Sequence, residues 1–226
     1  MLSRRQLLGG LLASGVAGCA TDSGSTVDLV TKMVTSKGPS AGGYPLSPEQ
    51  IHDLPYATLG VRREEGERAV MVLVSIDGAN LEWVSADGVT MVTSHGWMVQ
   101  THGMPRDLVS TRWLSPSAGD PLGDFIKTGV LPARGVYREV DINRSNERSL
   151  AVQSSFVLRG EETIEILGKK HLTQRIDETA VVQDWRWEAR NSFWVDPQTG
   201  RVWRSTQQYC PEIAPLTLEL LKPPAI

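Results

Sequence analysis

The chain has 226 residues, with 23 Lys and Arg against 26 Asp and Glu, four histidines and two cysteines, for a net charge of −3. This balance excludes a non-specific nucleic-acid binder, which needs a basic face. The length suits one domain or a tightly packed pair.

The chain opens MLSRRQLLGGLLASGVAGCA. Arg4 and Arg5 form a positive start and Leu7 to Val16 a short apolar run, far below the roughly 20 residues that span a bilayer. Residues 1–18 therefore read as a signal peptide. Val16-Ala17-Gly18-Cys19 resembles the lipobox of bacterial lipoproteins, in which the signal is cut before a lipidated Cys19. Several acyl chains hold a protein to a membrane durably, where one does so only marginally. Ala20 follows the cysteine instead of Asp, which by the sorting rule of such lipoproteins favours the outer membrane, facing the periplasm. SRRQLL also resembles a twin-arginine export signal, so the export route stays open. Removing residues 1–18 leaves 208 residues and takes away Arg4 and Arg5, so the charge becomes −5. With Cys19 lipidated, Cys210 has no partner and is expected as a small buried hydrophobe.

Residues 19–26 read as a lipidated tether, and 27–226 as a single β-rich domain. VDLVTKMVTS (27–36) has helical spacing of Val27, Val30 and Val34 and predicts a short amphipathic helix. A loop follows, and then Ser47, Pro48 and Gln50 predict a capped helical turn. From Pro55 the pattern changes. RAVMVLVSI, NLEWVSA, VTMVTS and WMVQT are short β-branched runs. Asp77-Gly78, Asp87-Gly88, His95-Gly96 and His102-Gly103 break them, as in an antiparallel meander. A Pro- and Gly-rich crossing covers Ser115 to Arg134. SLAVQSSFVLRG, ETIEILG and ETAVVQDWRWEA continue the meander, and LTLELLKPPAI supplies a last strand stopped by two prolines. About ten strands with one or two helices predict an all-β fold, an antiparallel meander closing into a barrel or sandwich with a short N-terminal helix.

Chemistry is sparse. His52, His95, His102 and His171 lack metal-ligand spacing, and no metal site or cofactor is expected. No nucleophile elbow, phosphate loop or dinucleotide fingerprint occurs, so no catalytic residue is named. Asp77, Asp87 and Asp196 sit in turns, where Asp is favoured for its local hydrogen bonds. Arg138, Arg186, Arg190, Arg201 and Arg204 read first as partners of the surplus carboxylates, and second as contacts for an acidic ligand.

The stretch NSFWVDPQTGRVWRSTQQY (191–209) is more specific. Pro197-Gln198-Thr199-Gly200 predicts a hairpin loop with Gly200 left-handed. That register sets Asp196 opposite Arg201, Val195 opposite Val202 and Trp194 opposite Trp203. Trp185, Trp187, Phe193 and Val195 then face the core, and Trp194 and Trp203 share a polar face. A one-residue bulge would reverse the faces.

The lipobox, LPYATLGVR (54–62), EWVSADGVTMVTSHGWMVQTHGM (82–104), DPL (120–122), EILG (165–168), NSFWVDPQTGRVWRSTQ (191–207) and the terminal LKPPA occur in this order. Together they resemble the GfcB/YjbF family of outer-membrane lipoproteins, encoded with genes for capsule or exopolysaccharide production. One departure is visible: Gly96-Trp97 stands where the family pattern has Gly-Arg. The resemblance implies an all-β, barrel-like periplasmic domain working in polysaccharide secretion or assembly, and it implies no defined reaction. A fainter likeness links the helix, meander and hairpin to half-barrel carriers that bind lipids or lipoproteins.

Three functions follow from this reading. The first is a non-enzymatic, lipid-anchored accessory of polysaccharide export, in contact with the glycan or with export proteins. The second is a carrier or sensor holding a lipid or lipid-linked sugar in a barrel cavity. The third is a glycan-modifying enzyme, ranked last because no acid–base constellation is apparent. The candidate glycan-binding residues are Trp194, Trp203, Arg190, Arg201 and Trp97, with the membrane reached through Cys19.

Overall fold

The computed structural model describes residues 43–63, 68–114, 120–143 and 149–225. The signal segment, Cys19, the tether and the helix expected over 27–36 lie outside the described residues. Twelve antiparallel strands form one sheet. They are β1 (Thr58–Arg63), β2 (Arg68–Asp77), β3 (Asn80–Ser85), β4 (Thr90–Ser94), β5 (Trp97–His102) and β6 (Leu108–Trp113). The second half comprises β7 (Val136–Ile142), β8 (Leu150–Ile166), β9 (Lys169–Val182), β10 (Trp187–Val195), β11 (Val202–Gln207) and β12 (Leu216–Lys222). Each strand pairs with its chain neighbours except at one place, between β5 and β6. β1 pairs with β12, and β5 and β6 are the sheet's two ends. The Thr101 hydroxyl accepts from the Leu108 amide at 2.9 Å and so bridges β5 to β6. The result is a nearly closed up-and-down barrel, as the meander predicts.

The strand count exceeds ten because β1, β6 and β7 flank stretches dominated by turn residues. SLAVQSSFVLRG and ETIEILG are one strand, β8, bent by a bulge between Leu158 and Gly160. ETAVVQDWRWEA instead breaks in two, at a short 3-10 helix (Gln183–Trp185) ending in a left-handed Arg186.

Two helices pack on this sheet. α1 (Pro48–Asp53) begins with the expected capping box, in which the Ser47 side chain takes the Gln50 amide and the Gln50 side chain takes the Ser47 amide. Tyr44, Leu46, Ile51 and Leu54 cover the outer face of the sheet at Val70. The Tyr44 ring lies so close over Gly60 that any Cβ there would collide with it. α2 (Pro121–Thr128) lies inside the crossing that composition marks as irregular. Asp120 caps it, Pro121 starts it and a left-handed Gly129 ends it, which is the usual asymmetry of start and stop signals.

Inside the barrel, Leu59, Met71, Trp83, Met91, Val152, Val182, Leu216 and Leu218 belong to the main core. Cys210 is fully buried there as a free thiol, and burial pushes its pKa up. A second interior cluster of Trp97, Ile176, Phe193 and Val195 is closed by Leu122 and Phe125 of α2. The distal part of the β8–β9 hairpin packs on the outer face, where Ile164 and Ile166 meet Trp194 and Leu221.

Candidate binding cleft

The β10–β11 hairpin organises one end of the barrel. Asp196 holds its turn, with its side chain accepting from the Gln198 and Thr199 amides at 2.9 and 3.0 Å. The Asp196 amide donates to the Arg201 carbonyl at 2.8 Å, and Gly200 is left-handed, as expected. Val195 also faces Val202 as the loop chemistry predicts. The tryptophan pairing differs. A bulge follows, so Trp194 faces Arg204 and Trp203 is the extra residue. The physical reason is local: the Trp203 indole turns back and donates from Nε1 to Asp196 at 3.1 Å. Trp194 and Trp203 consequently do not form a cross-strand pair.

Trp203 lines a cleft of about 510 Å³ at the α2 end of the barrel. Its walls are Leu59, Leu81, Trp83, Leu218 and Leu220, and its rim carries Ala79, His95, Ile126, Thr199 and Arg201. The rim residues come from the β2–β3, β4–β5 and β10–β11 turns and from α2, which an up-and-down topology gathers at one end. Gly200 admits α2, because Ile126 occupies the place a Cβ would take. Volume and apolar walls fall in the range of small-molecule sites, about 300–1,000 Å³ with a few polar groups fixing orientation.

The polar groups of the rim are few and specifically held. His95 has a left-handed backbone (φ 46°) and its Nδ1 lies 2.7 Å from Asp120 Oδ2. Asp120 Oδ1 accepts from the Trp97 indole at 2.6 Å and the Leu122 amide at 2.9 Å. With Nδ1–H given to Asp120, His95 Nε2 makes no hydrogen bond to the described residues, and the ring lines the cleft. The Arg201 guanidinium lies 5.2 Å over the Trp203 ring, and His171 stacks on that ring at 3.9 Å. No carboxylate among the described residues pairs with Arg201, and none lines the cleft. Burial lowers the His171 pKa, outweighing the nearby Asp196. Burial alone would push the Asp196 carboxyl up, yet hydrogen bonds from the Thr199 and Gln198 amides and the Trp203 indole hold it below the usual range.

The five candidate binding residues are dispersed. Trp203 and Arg201 line the cleft. Trp194 is buried on the outer face beneath the β8–β9 hairpin, with the Arg175 and Arg204 guanidinium groups 5.3 and 5.8 Å from its ring. Trp97 is buried among Trp113, Phe156 and Phe193, and it holds the rim through Asp120. Arg190 is exposed and pairs with Glu188, away from the cleft. Trp185 and Trp187 are half-buried against the main core. Sequence reasoning passed over His95 as a turn residue and Asp120 as part of an irregular crossing. The Asp-Pro start of a capped helix was the signal that placed Asp120.

Elsewhere the interior holds a charged network. Arg138 pairs with Glu178, the Ser154 hydroxyl bonds to both, and Asn191 donates to Glu178 at 2.6 Å. Trp97 and Trp113 flank the guanidinium at 5.0 and 5.1 Å. Every member is satisfied, which makes the network a structural device rather than an open site. Among the described residues no group of three His, Cys, Asp or Glu side chains is placed to hold a metal ion.

The family described as group 4 capsule polysaccharide lipoprotein gfcB, YjbF matches residues 40–221. The chain belongs to that family. It is 30% identical to the uncharacterized lipoprotein GfcB of Escherichia coli K12 over 97% of this chain and 99% of that protein. It is 25% identical to the lipoprotein YjbF of the same organism over 80% of this chain and 82% of that one. The crystal structure of the hypothetical lipoprotein YmcC from E. coli K12 is similar at 26% identity, with a TM-score of 0.72 covering 90% of this chain and 96% of that chain. This member of the family folds as a nearly closed barrel that carries the rim cleft.

Proposed function

We propose that the protein is a lipid-anchored accessory of capsule or exopolysaccharide production, held to the outer membrane at Cys19 after loss of residues 1–18 and acting through binding in the periplasm. The barrel-end cleft is its working surface. The observation that carries this reading is Arg201, with no salt bridge among the described residues, held over Trp203 at the rim of a cleft of about 510 Å³. The Trp203 ring, already in contact with His171 and beneath Arg201, offers only its remaining exposed apolar surface to a sugar ring. A guanidinium with no salt bridge among the described residues suits a carboxylate or phosphate. No nucleophile with an adjacent base lines the cleft. His95 is positioned by Asp120, but the lining places no acid opposite it, so it serves as a hydrogen-bonding group for the ligand.

The test is complementation of a strain lacking the gene, with secreted polymer measured at matched protein levels. Arg201→Ala and Trp203→Ala should each lower polymer yield, and Arg190→Ala should not. Full yield from the Arg201→Ala, Trp203→Ala double variant would refute the reading.

A further inference from the structure

The walls of the cleft say more about the ligand than its rim does. Below Trp203 the lining is Leu59, Leu81, Trp83, Leu218 and Leu220. The polar atoms there are already engaged: Thr93 accepts the Trp83 indole at 2.8 Å, and the Ser205 hydroxyl takes the Gln207 amide group at 2.8 Å. A sugar inserted at that depth would leave its hydroxyls without partners, which is costly. A hydrocarbon chain loses nothing there and gains by leaving water. The cleft opens to solvent and holds about 510 Å³, within the range of small-molecule sites. At the rim, Arg201 has no salt bridge among the described residues, while the nearest carboxylates are engaged. Asp120 is held by His95 Nδ1, the Trp97 indole and the Leu122 amide, and Asp196 by the Trp203 indole and its own turn amides.

We propose that the cleft binds an anionic amphiphile, its hydrocarbon chain against Leu59, Leu81, Leu218 and Leu220 and its charged head at Arg201 and His95. This deepens the proposed function and rests on the same cleft being the working site. It places the chain inside the barrel and leaves Trp203 for a sugar attached to the head.

The experiment uses the whole lipid-anchored protein in phosphatidylcholine nanodiscs. Three diazirine-bearing probes are photolysed with it: palmitate, hexadecyl phosphate and a neutral alkyl maltoside. Adducts are mapped by tandem mass spectrometry. Palmitate, hexadecyl phosphate or both should label the cleft walls at Leu81, Leu218 or Leu220, and whichever labels more strongly identifies the head as carboxylate or phosphate. Ala79→Trp obstructs the rim at an exposed turn, and Arg201→Glu reverses the head contact. Each should cut wall labelling by about tenfold, the scale of losing one charge-assisted contact, with an unchanged melting curve. Labelling scattered over the outer surface, or equal wall labelling by the neutral maltoside, would overturn the proposal. Absent wall labelling in a protein whose polymer production still depends on Arg201 and Trp203 would overturn the amphiphile and leave the glycan reading intact. Wall labelling with polymer production indifferent to both residues would support the amphiphile and remove the glycan reading.

Discussion

The barrel interior is built in two ways. Beneath α2, Ile176, Phe193, Val195 and Trp97 pack against Leu122 and Phe125, and the Arg138–Glu178 pair lies satisfied beside them. Across the sheet, Leu59, Leu218 and Leu220 are buried in the main core and, with Leu81, form the floor of the cleft. Both regions are apolar and belong to one sheet. The first gains packing and fixes the fold, whereas the second ends in a cleft open to solvent. Stability explains the packed region, and the cleft is explained by what enters it.

Substitutions separate the two regions. The largest expected effect is Glu178→Ala, which strands Arg138 inside the barrel and should cost about 3–5 kcal/mol, read by denaturant unfolding. Ile176→Ala, in the packed region, should fall at the upper end of the roughly 2–5 kcal/mol for such truncations, and Leu220→Ala, at the cleft wall, at the lower end. Enlarging residues reverses the logic. Ala180→Leu overpacks a filled site and should cost about 1–3 kcal/mol, but Leu218→Phe can turn into the cleft and should cost under about 1 kcal/mol. Equal costs for the last two would remove the distinction between the regions.

The smallest effect concerns pH. The Asp196 carboxyl is held below its ordinary value of 3.8. The stability it contributes is therefore fully present above that value and is lost as pH falls through the depressed one. Asp196→Asn should flatten the fall in melting temperature as pH drops below about 4, and an unchanged slope would show that the turn hydrogen bonds carry no such linkage. Because Asp196 also holds the Trp203 indole, the same variant should loosen the rim.

Much of this architecture was legible in the chain. The X-Gly turns mark the β2–β5 meander because left-handed turn residues and alternating β-branched runs are local properties. The capping box at Ser47 and the hairpin ends at Asp196 and Arg201 are local as well. What escaped depends on tertiary context. The bulge at Trp203 follows from an indole reaching back to Asp196, a contact that no periodicity encodes. The helix Pro121–Thr128 is disguised by the composition around it. The cleft is the least legible feature, because its rim is assembled from three turns and α2 that meet only in the folded barrel. Of the five candidate residues, Trp203 and Arg201 meet at the rim because both belong to one hairpin. Trp194 and Trp97 are drawn into packing by Arg175, Arg204 and Phe193.

The most direct measurement is the polymer secreted by a strain whose only copy carries Leu218→Phe, at normal protein abundance and melting temperature. The account predicts a loss of polymer, since the cleft is filled while the barrel stands. Undiminished polymer from that stable, cleft-filled protein would contradict it.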